Sequence, residues 1–360
     1  MVNWAQSNPP WRTGEPPSFA VPVGDGVIVT VPELRLGELP RSEHSFFVRL
    51  CDVPGSETDP LAYTAAGSSE GITIAVSAGQ RPARLRRVGN SFFVDQWNIE
   101  MLTWQERVPV PAYPGSALAM LGDGRVLIIG GVRFAKNKVI QPARDVTLVD
   151  LGDCSVRTVE PLIQPRGGAH AFLLPQGKVL VVGGHTLDLT TEETVETAAT
   201  EVFDQARGSW ELGNTLEMGR IGAHIAQLSN GDVLVAGGGH GKGPDALTNC
   251  KLYEAKKERW REACPLPTGR SYGALCGLPN GRAVLSGGSG VGIEWASQAT
   301  RTATVYDPVR DVWAALPSMN CDRFSPISSP VGADSVLVMG GVDRKSETVR
   351  SLEVLSLLEG

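Results

Sequence analysis

One eleven-residue phrase recurs along the chain and constrains it more than any other feature. It reads LGDGRVLIIGG at 121–131, LPQGKVLVVGG at 174–184, LSNGDVLVAGG at 228–238, LPNGRAVLSGG at 278–288 and VGADSVLVMGG at 331–341. Each copy is a tight polar turn, an apolar run of strand length and a glycine pair that reaches backbone angles closed to other residues. The second glycines, Gly131, Gly184, Gly238, Gly288 and Gly341, are 53, 54, 50 and 53 residues apart. A period of that size means one supersecondary unit used repeatedly rather than a set of unlike domains.

Each unit carries further marks. An aromatic residue is followed seven positions later by a tryptophan: Phe203 and Trp210, Tyr253 and Trp260, Tyr306 and Trp313, and in a more degenerate copy Trp97 and Trp104. The Asp-Pro chemistry after Tyr306 suits a tight reversal between them. Ten residues after the tryptophan comes an arginine: Arg220, Arg270 and Arg323. This pattern resembles the kelch repeat family. The resemblance implies four-stranded blades, with an arginine leading the first strand, the glycine pair after the second, Tyr-Asp closing the third and tryptophan in the fourth.

The first hundred residues hold two weaker copies of the phrase, VGDGVIVTVP at 23–32 and EGITIAVSAG at 70–79. Counting them gives seven second strands, about 51 residues apiece. The expectation is an all-β, kelch-type β-propeller forming a single domain over residues 1–360, with seven four-stranded blades; six remain if one weak copy is decoration. Residues 1–11 would supply a closing strand carrying Trp4, residues 12–112 two degenerate blades, and residues 113–360 five regular ones. The closing strand would complete the last blade and remove open sheet edges.

A net charge of −6 with no basic tail argues against nucleic acid and against an anionic membrane surface. Arg81, Arg84, Arg86 and Arg87 read as a solvated loop. No apolar run approaches the roughly 20 residues of a membrane span, and the N-terminus lacks a secretory signal pattern. The six cysteines are scattered, with no CxxC pair, which fits reduced thiols in a cytoplasmic protein.

Propeller geometry puts the loops after the glycine pairs, 185–199, 239–249 and 289–302, on the same face as the residues that open the inner strands. Those openers are Tyr113, Arg166, Arg220, Arg270 and Arg323, with Glu15 and Pro60 in the weak blades. Guanidiniums facing a channel would hold carboxylates or phosphates through bidentate hydrogen bonds, unless neighbouring carbonyls and acids satisfy them. Four of the five histidines occupy matching places in two adjacent blades: His170 and His224 in RGGAH and RIGAH, His185 and His240 after the glycine pairs. Strand alternation would place Arg166 and His170 on one side, with His185 returning to the level of Arg166. These imidazoles can be packed between blades, can bind ligand, or can act as acid and base. Their spacing matches no standard metal motif, and no cofactor is implied.

The reading is a recognition propeller that binds an anionic small molecule or acidic protein segment at the channel mouth through Arg166, Arg220, Arg270, Arg323, Tyr113, His185 and His240. The alternative is a lyase, isomerase or cyclase in which His170 or His224 transfers a proton on a carboxylated molecule. Copper oxidases of the galactose-oxidase kind carry an adjacent Tyr-His pair, which is not found here.

Overall fold

The computed structural model describes residues 5–7, 19–23, 26–33, 42–49, 63–69, 73–76, 83–88, 91–98 and 103–357, except 135–139, 189–193, 241–244, 292–295 and 332. Trp4, Glu15 and Pro60 lie outside the described residues.

The described residues form seven four-stranded antiparallel sheets, numbered here in chain order from the innermost strand outward. Sheet one holds Phe19–Val23, Gly26–Glu33, Ser42–Arg49 and Tyr63–Ser69. Sheet two holds Thr73–Val76, Ala83–Val88, Ser91–Asn98 and Thr103–Val110. Sheet three holds Ala117–Met120, Arg125–Ile129, Val146–Asp150 and Val156–Thr158. Sheet four holds His170–Leu173, Lys178–Val182, Thr200–Asp204 and Ser209–Leu212. Sheet five holds His224–Gln227, Val233–Ala236, Cys250–Glu254 and Arg259–Ala263. Sheet six holds Ala274–Gly277, Ala283–Ser286, Ala303–Asp307 and Val312–Leu316. Sheet seven holds Ile327–Val331, Ser335–Met339 and Leu352–Ser356, and its outermost strand is Ala5–Ser7 from the other end of the chain. Ala5 faces Val354 and Ser7 faces Leu352, so the N-terminal strand completes the last sheet.

The repeated phrase builds each of sheets three to seven in the same way. Its apolar run is the second strand, and in sheet four Val179, Leu180, Val181 and Val182 are all fully buried because both faces pack against neighbouring sheets. The seven-residue spacing sets Phe203, Tyr253 and Tyr306 directly across from Trp210, Trp260 and Trp313, with ring centroids 5.0–5.2 Å apart. Both glycines of every pair have positive φ. The second glycine then donates its N–H to the next sheet: Gly131 to the Arg166 carbonyl at 2.9 Å, Gly238 to that of Arg270 at 2.8 Å and Gly288 to that of Arg323 at 2.7 Å. A Cβ on the first glycine would overlap the same carbonyls. In these three sheets the glycine pair is thus the joint by which one sheet is fastened to the next.

Sheet two corrects two expectations. Thr73–Val76 is the inner strand, so EGITIAVSAG is not a second-strand phrase; that role belongs to Ala83–Val88. Arg84, Arg86 and Arg87 therefore lie in a strand rather than a solvated loop, while Arg81 lies outside the described residues. Alternation sends Arg84 and Arg86 to one face, where both pair with Asp95 at 2.9 and 2.7 Å, all three side chains being largely buried.

Candidate functional site

Strict alternation along RGGAH would point Arg166 and His170 the same way. The backbone does not allow it. The residue two after each strand opener takes positive φ: Gly115, Gly168, Gly222, Tyr272 and Ser325, at 70°, 66°, 57°, 50° and 51°. That twist ends the alternation before the inner strand begins at His170 or His224. The arginine turns back into its own sheet while the histidine follows the inner strand.

Where the arginine goes depends on the second residue of the third strand. In sheet four that residue is Glu201. Arg166 Nη2 donates to it at 2.7 Å, and Nη1 donates to the carbonyls of Gly183 and Ala199, with no side-chain surface left on either partner. Glu201 also accepts the backbone N–H groups of Ile163 and Gln164, which dock the incoming connector. Sheet seven repeats the arrangement. Arg323 donates to the Gly340 and Ser351 carbonyls and to Glu353 at 3.0 Å, while Glu353 accepts the N–H groups of Asn320 and Cys321. A buried charge persists when it is paired, and each of these guanidiniums has a buried glutamate, although the Nε of Arg166 has no hydrogen-bond partner among the described residues. The expectation that four guanidiniums face the channel therefore fails for Arg166 and Arg323.

Arg220 and Arg270 lack that partner. The matching third-strand residue in sheet five is Lys251, whose ammonium pairs with Glu217 and Glu262, and in sheet six it is Thr304, whose hydroxyl donates to the Ala314 carbonyl. Arg220 Nη1 donates to the carbonyls of Gly237 and Asn249, both at 2.9 Å; its Nε and Nη2 are buried with no hydrogen-bond partner among the described residues. Burial lowers its basicity, partly offset by Cys250, Glu262 and Glu217. Arg270 donates to Thr302 alone, through the carbonyl and the hydroxyl. Burial brings its pKa down to about 10. Tyr113, which opens sheet three, has the exposed Arg133 guanidinium 5.0 Å from its ring centre. There Ser116 Oγ takes over the bond to the first glycine's carbonyl, Gly130, at 2.8 Å.

Arg220 opens onto a cleft of about 120 Å³ between sheets four and five, lined by His170, His185, Gly168, Gly184, Gly222 and Arg220 itself, among others. The cleft exists because this joint is open. Among the described residues Gly184 makes no bond to the Arg220 carbonyl, and a Cβ on Gly183 would meet only the Thr197 oxygen, 4.0 Å away. The inner strands His170–Leu173 and His224–Gln227 are correspondingly the least closely packed neighbours around the ring. His185 is fixed beside Gly167 by paired backbone bonds of 2.8 and 3.0 Å, one residue from the level of Arg166. His170 has open surface inside the cleft, yet its enclosure by protein lowers its basicity.

The other two histidines go elsewhere. His224, 2% exposed, sits in the joint between sheets five and six with its ring nitrogens 3.1 Å from the carbonyl oxygens of Gly273 and Arg270. Burial and the Arg270 charge bring its pKa down to about 4. His240 is exposed and donates from Nδ1 to the Gly219 carbonyl at 2.9 Å. The wedge of four imidazoles expected from the sequence is thus divided: His170, His185 and Arg220 converge, while Arg166, His224 and His240 do not join them. Among the described residues no group of three or more His, Cys, Asp or Glu side chains is placed to hold a metal ion. The five described cysteines are free thiols.

The residues that sequence reasoning missed are Glu201, Lys251, Thr304 and Glu353. A signal for them was present: each stands two positions before the aromatic or apolar residue near the end of its third strand, in TEVFD, CKLYE, ATVYD and LEVLS.

No family model matches the chain. It is 31% identical over 159 residues to an F-box/kelch-repeat protein of Arabidopsis thaliana, an alignment covering 43% of this chain and 36% of the relative. It is 28% identical over 155 residues to Kelch-like protein 34 of Homo sapiens, covering 42% of this chain and 23% of the relative. The chain thus spans about a third or less of the length of these relatives. The solved structure of YjhT superimposes with a TM-score of 0.58 over 98% of this chain and 97% of that one, at 13% identity.

Proposed function

The chain is a kelch-repeat β-propeller, and from that premise we propose that it is a recognition module whose cleft between sheets four and five receives a carboxylate from an acidic protein segment or a small carboxylated molecule. Its scaffold is of a kind that serves protein and ligand binding. The observation that carries the reading is the unsatisfied edge of Arg220. Nε and Nη2 lie on one edge of the guanidinium, the edge that binds a carboxylate through two parallel hydrogen bonds, and both are buried without a partner. Leaving such donors unsatisfied costs on the order of 1–3 kcal/mol each, which an incoming carboxylate would return as binding energy. His170 and His185 flank the opening and supply further hydrogen-bonding groups. The cleft holds a single carboxylate and little more, so the remainder of the ligand would lie outside it. Arg270, Tyr113 and His240 stand nearer the rim of this reading than its centre, and Arg166 and Arg323 serve the scaffold.

An enzymatic reading has one observation in its favour. His170, whose basicity is lowered by its enclosure, lines the same cleft as Arg220, as a general base acting on a bound carboxylate would. His224, with both ring nitrogens against carbonyl oxygens, would take no part. Titration with citrate, followed through the ring resonances of His170 and His185, tests the binding role. Shifts of both rings that saturate in the wild type and vanish in Arg220→Met are expected. Shifts that persist in the variant, or no shifts in the wild type, would remove the basis of the proposal.

A further inference from the structure

The slot that Glu201 fills in sheet four and Glu353 fills in sheet seven is open in sheet six. In the filled sheets the carboxylate lies between the connector and the third strand, joining the arginine to the connector's backbone N–H groups three and two residues ahead of it. In sheet six the corresponding third-strand residue is Thr304, whose side chain is too short to bridge and turns to the Ala314 carbonyl at 2.8 Å. The connector residues are Pro267, which has no N–H, and Thr268. Between them lies a cavity of about 440 Å³, much larger than the cleft above. Arg270 and Thr302 line its polar end, and Leu266, Pro267, Ala303 and Ala315 supply apolar wall.

The chemistry of this space follows from what is missing. Arg270 is only 8% exposed and has no carboxylate partner among the described residues; its bonds go to Thr302 alone. The second cation at the cavity, Arg344, is already engaged by the Ala299 carbonyl and by Asp322 at 3.2 Å. We propose that the sheet-six cavity is a binding site for a small carboxylic acid with a compact apolar body, whose carboxylate takes the place that a glutamate side chain holds in sheets four and seven. The carboxylate would pair with Arg270 and the Thr268 N–H, and the body would lie against Leu266, Pro267, Ala303 and Ala315. A volume of several hundred Å³ is usual for a small-molecule pocket, and Thr268, Gln298 and Thr300 add polar groups to its wall. The site stands apart from the cleft between sheets four and five, and its test does not bear on that one.

Benzoate is the probe, with benzamide as its neutral match, titrated into the full chain by calorimetry at neutral pH. Benzoate is expected to bind and benzamide to bind at least tenfold more weakly. Arg270→Met should abolish benzoate binding. Thr304→Glu supplies the missing carboxylate from within, so it should also abolish binding and should raise the melting temperature. Unchanged benzoate affinity in Thr304→Glu, a lowered melting temperature in that variant, or no benzoate binding to the wild type at 20 mM would each overturn the proposal. Displacement of benzoate by hexaglutamate at lower concentration would overturn the assignment to a small acid in favour of a peptide side chain.

Discussion

Removing the carboxylate of Glu201 should be among the most damaging single changes available in this chain. The substitution Glu201→Ala leaves the Arg166 guanidinium buried with only two backbone carbonyls as acceptors, since neither side chain has any solvent exposure. It also strips the acceptor from the N–H groups of Ile163 and Gln164, at 2.6 and 3.1 Å. Breaking one side of a buried ion pair costs about 3–5 kcal/mol, chiefly because the surviving charge stays buried. Against a typical total of about 5–15 kcal/mol, that is a large share of what holds a domain folded. The assay is equilibrium urea unfolding followed by tryptophan fluorescence, for which Trp210 in the same sheet is a reporter. The double variant Glu201→Leu with Arg166→Met should recover the part of the loss due to the unpaired charge, while the Ile163 and Gln164 N–H groups still lack their acceptor. A loss under 1 kcal/mol for Glu201→Ala, or a double variant worse than the single one, would refute the assignment of Arg166 to the scaffold.

Other expectations follow from the same geometry. Arg220→Met, which removes a guanidinium with no carboxylate partner, should change stability by less than about 1 kcal/mol, measurable in the same urea titration. His224 has a folded-state pKa of about 4 against an ordinary value of 6.5, so the unfolded chain takes up its proton first as pH falls. Stability that is fully present above pH 6.5 should therefore decline by about 3 kcal/mol down to pH 4, a slope that His224→Gln should flatten in melts run across that range. Gly288→Ala should destabilise by about 1–3 kcal/mol, since φ is 95° and a Cβ would lie 2.5 Å from the Ser271 carbonyl oxygen; a melting temperature equal to the wild type would contradict the joint described for that glycine.

The parts of the fold that depend on short-range pattern were legible in the sequence. The phrase LPQGKVLVVGG predicts its own turn, its strand and the positive φ of its glycine pair, and the seven-residue spacing of Tyr306 and Trp313 predicts a cross-strand pair that the register shows. The closing strand was legible as well, from where tryptophan was missing at one end and present at the other, and Ala5–Ser7 pairs there. Sheet two was misread because ITIAV and the apolar phrase look alike, and only pairing separates an inner strand from a second strand. The site was half legible. The sequence singles out His170, His185 and Arg220, which line one cleft, but alternation does not extend through Gly168, where a positive φ reverses it, and so Arg166 turns to Glu201 instead of to the channel. Which joint between sheets stays open depends on bonds between carbonyls and N–H groups of different repeats, and these leave no mark on side-chain identity.

The most direct test of the division between arginines that have a glutamate partner and those that do not is the melting temperature of the wild type and of Arg220→Met across a citrate series. A ligand that binds only the folded chain raises its stability by mass action. The melting temperature of the wild type should climb steadily with citrate while that of Arg220→Met stays flat. Parallel climbs in the two proteins would mean that the free edge of Arg220 is not where the anion binds, and the functional account would fall.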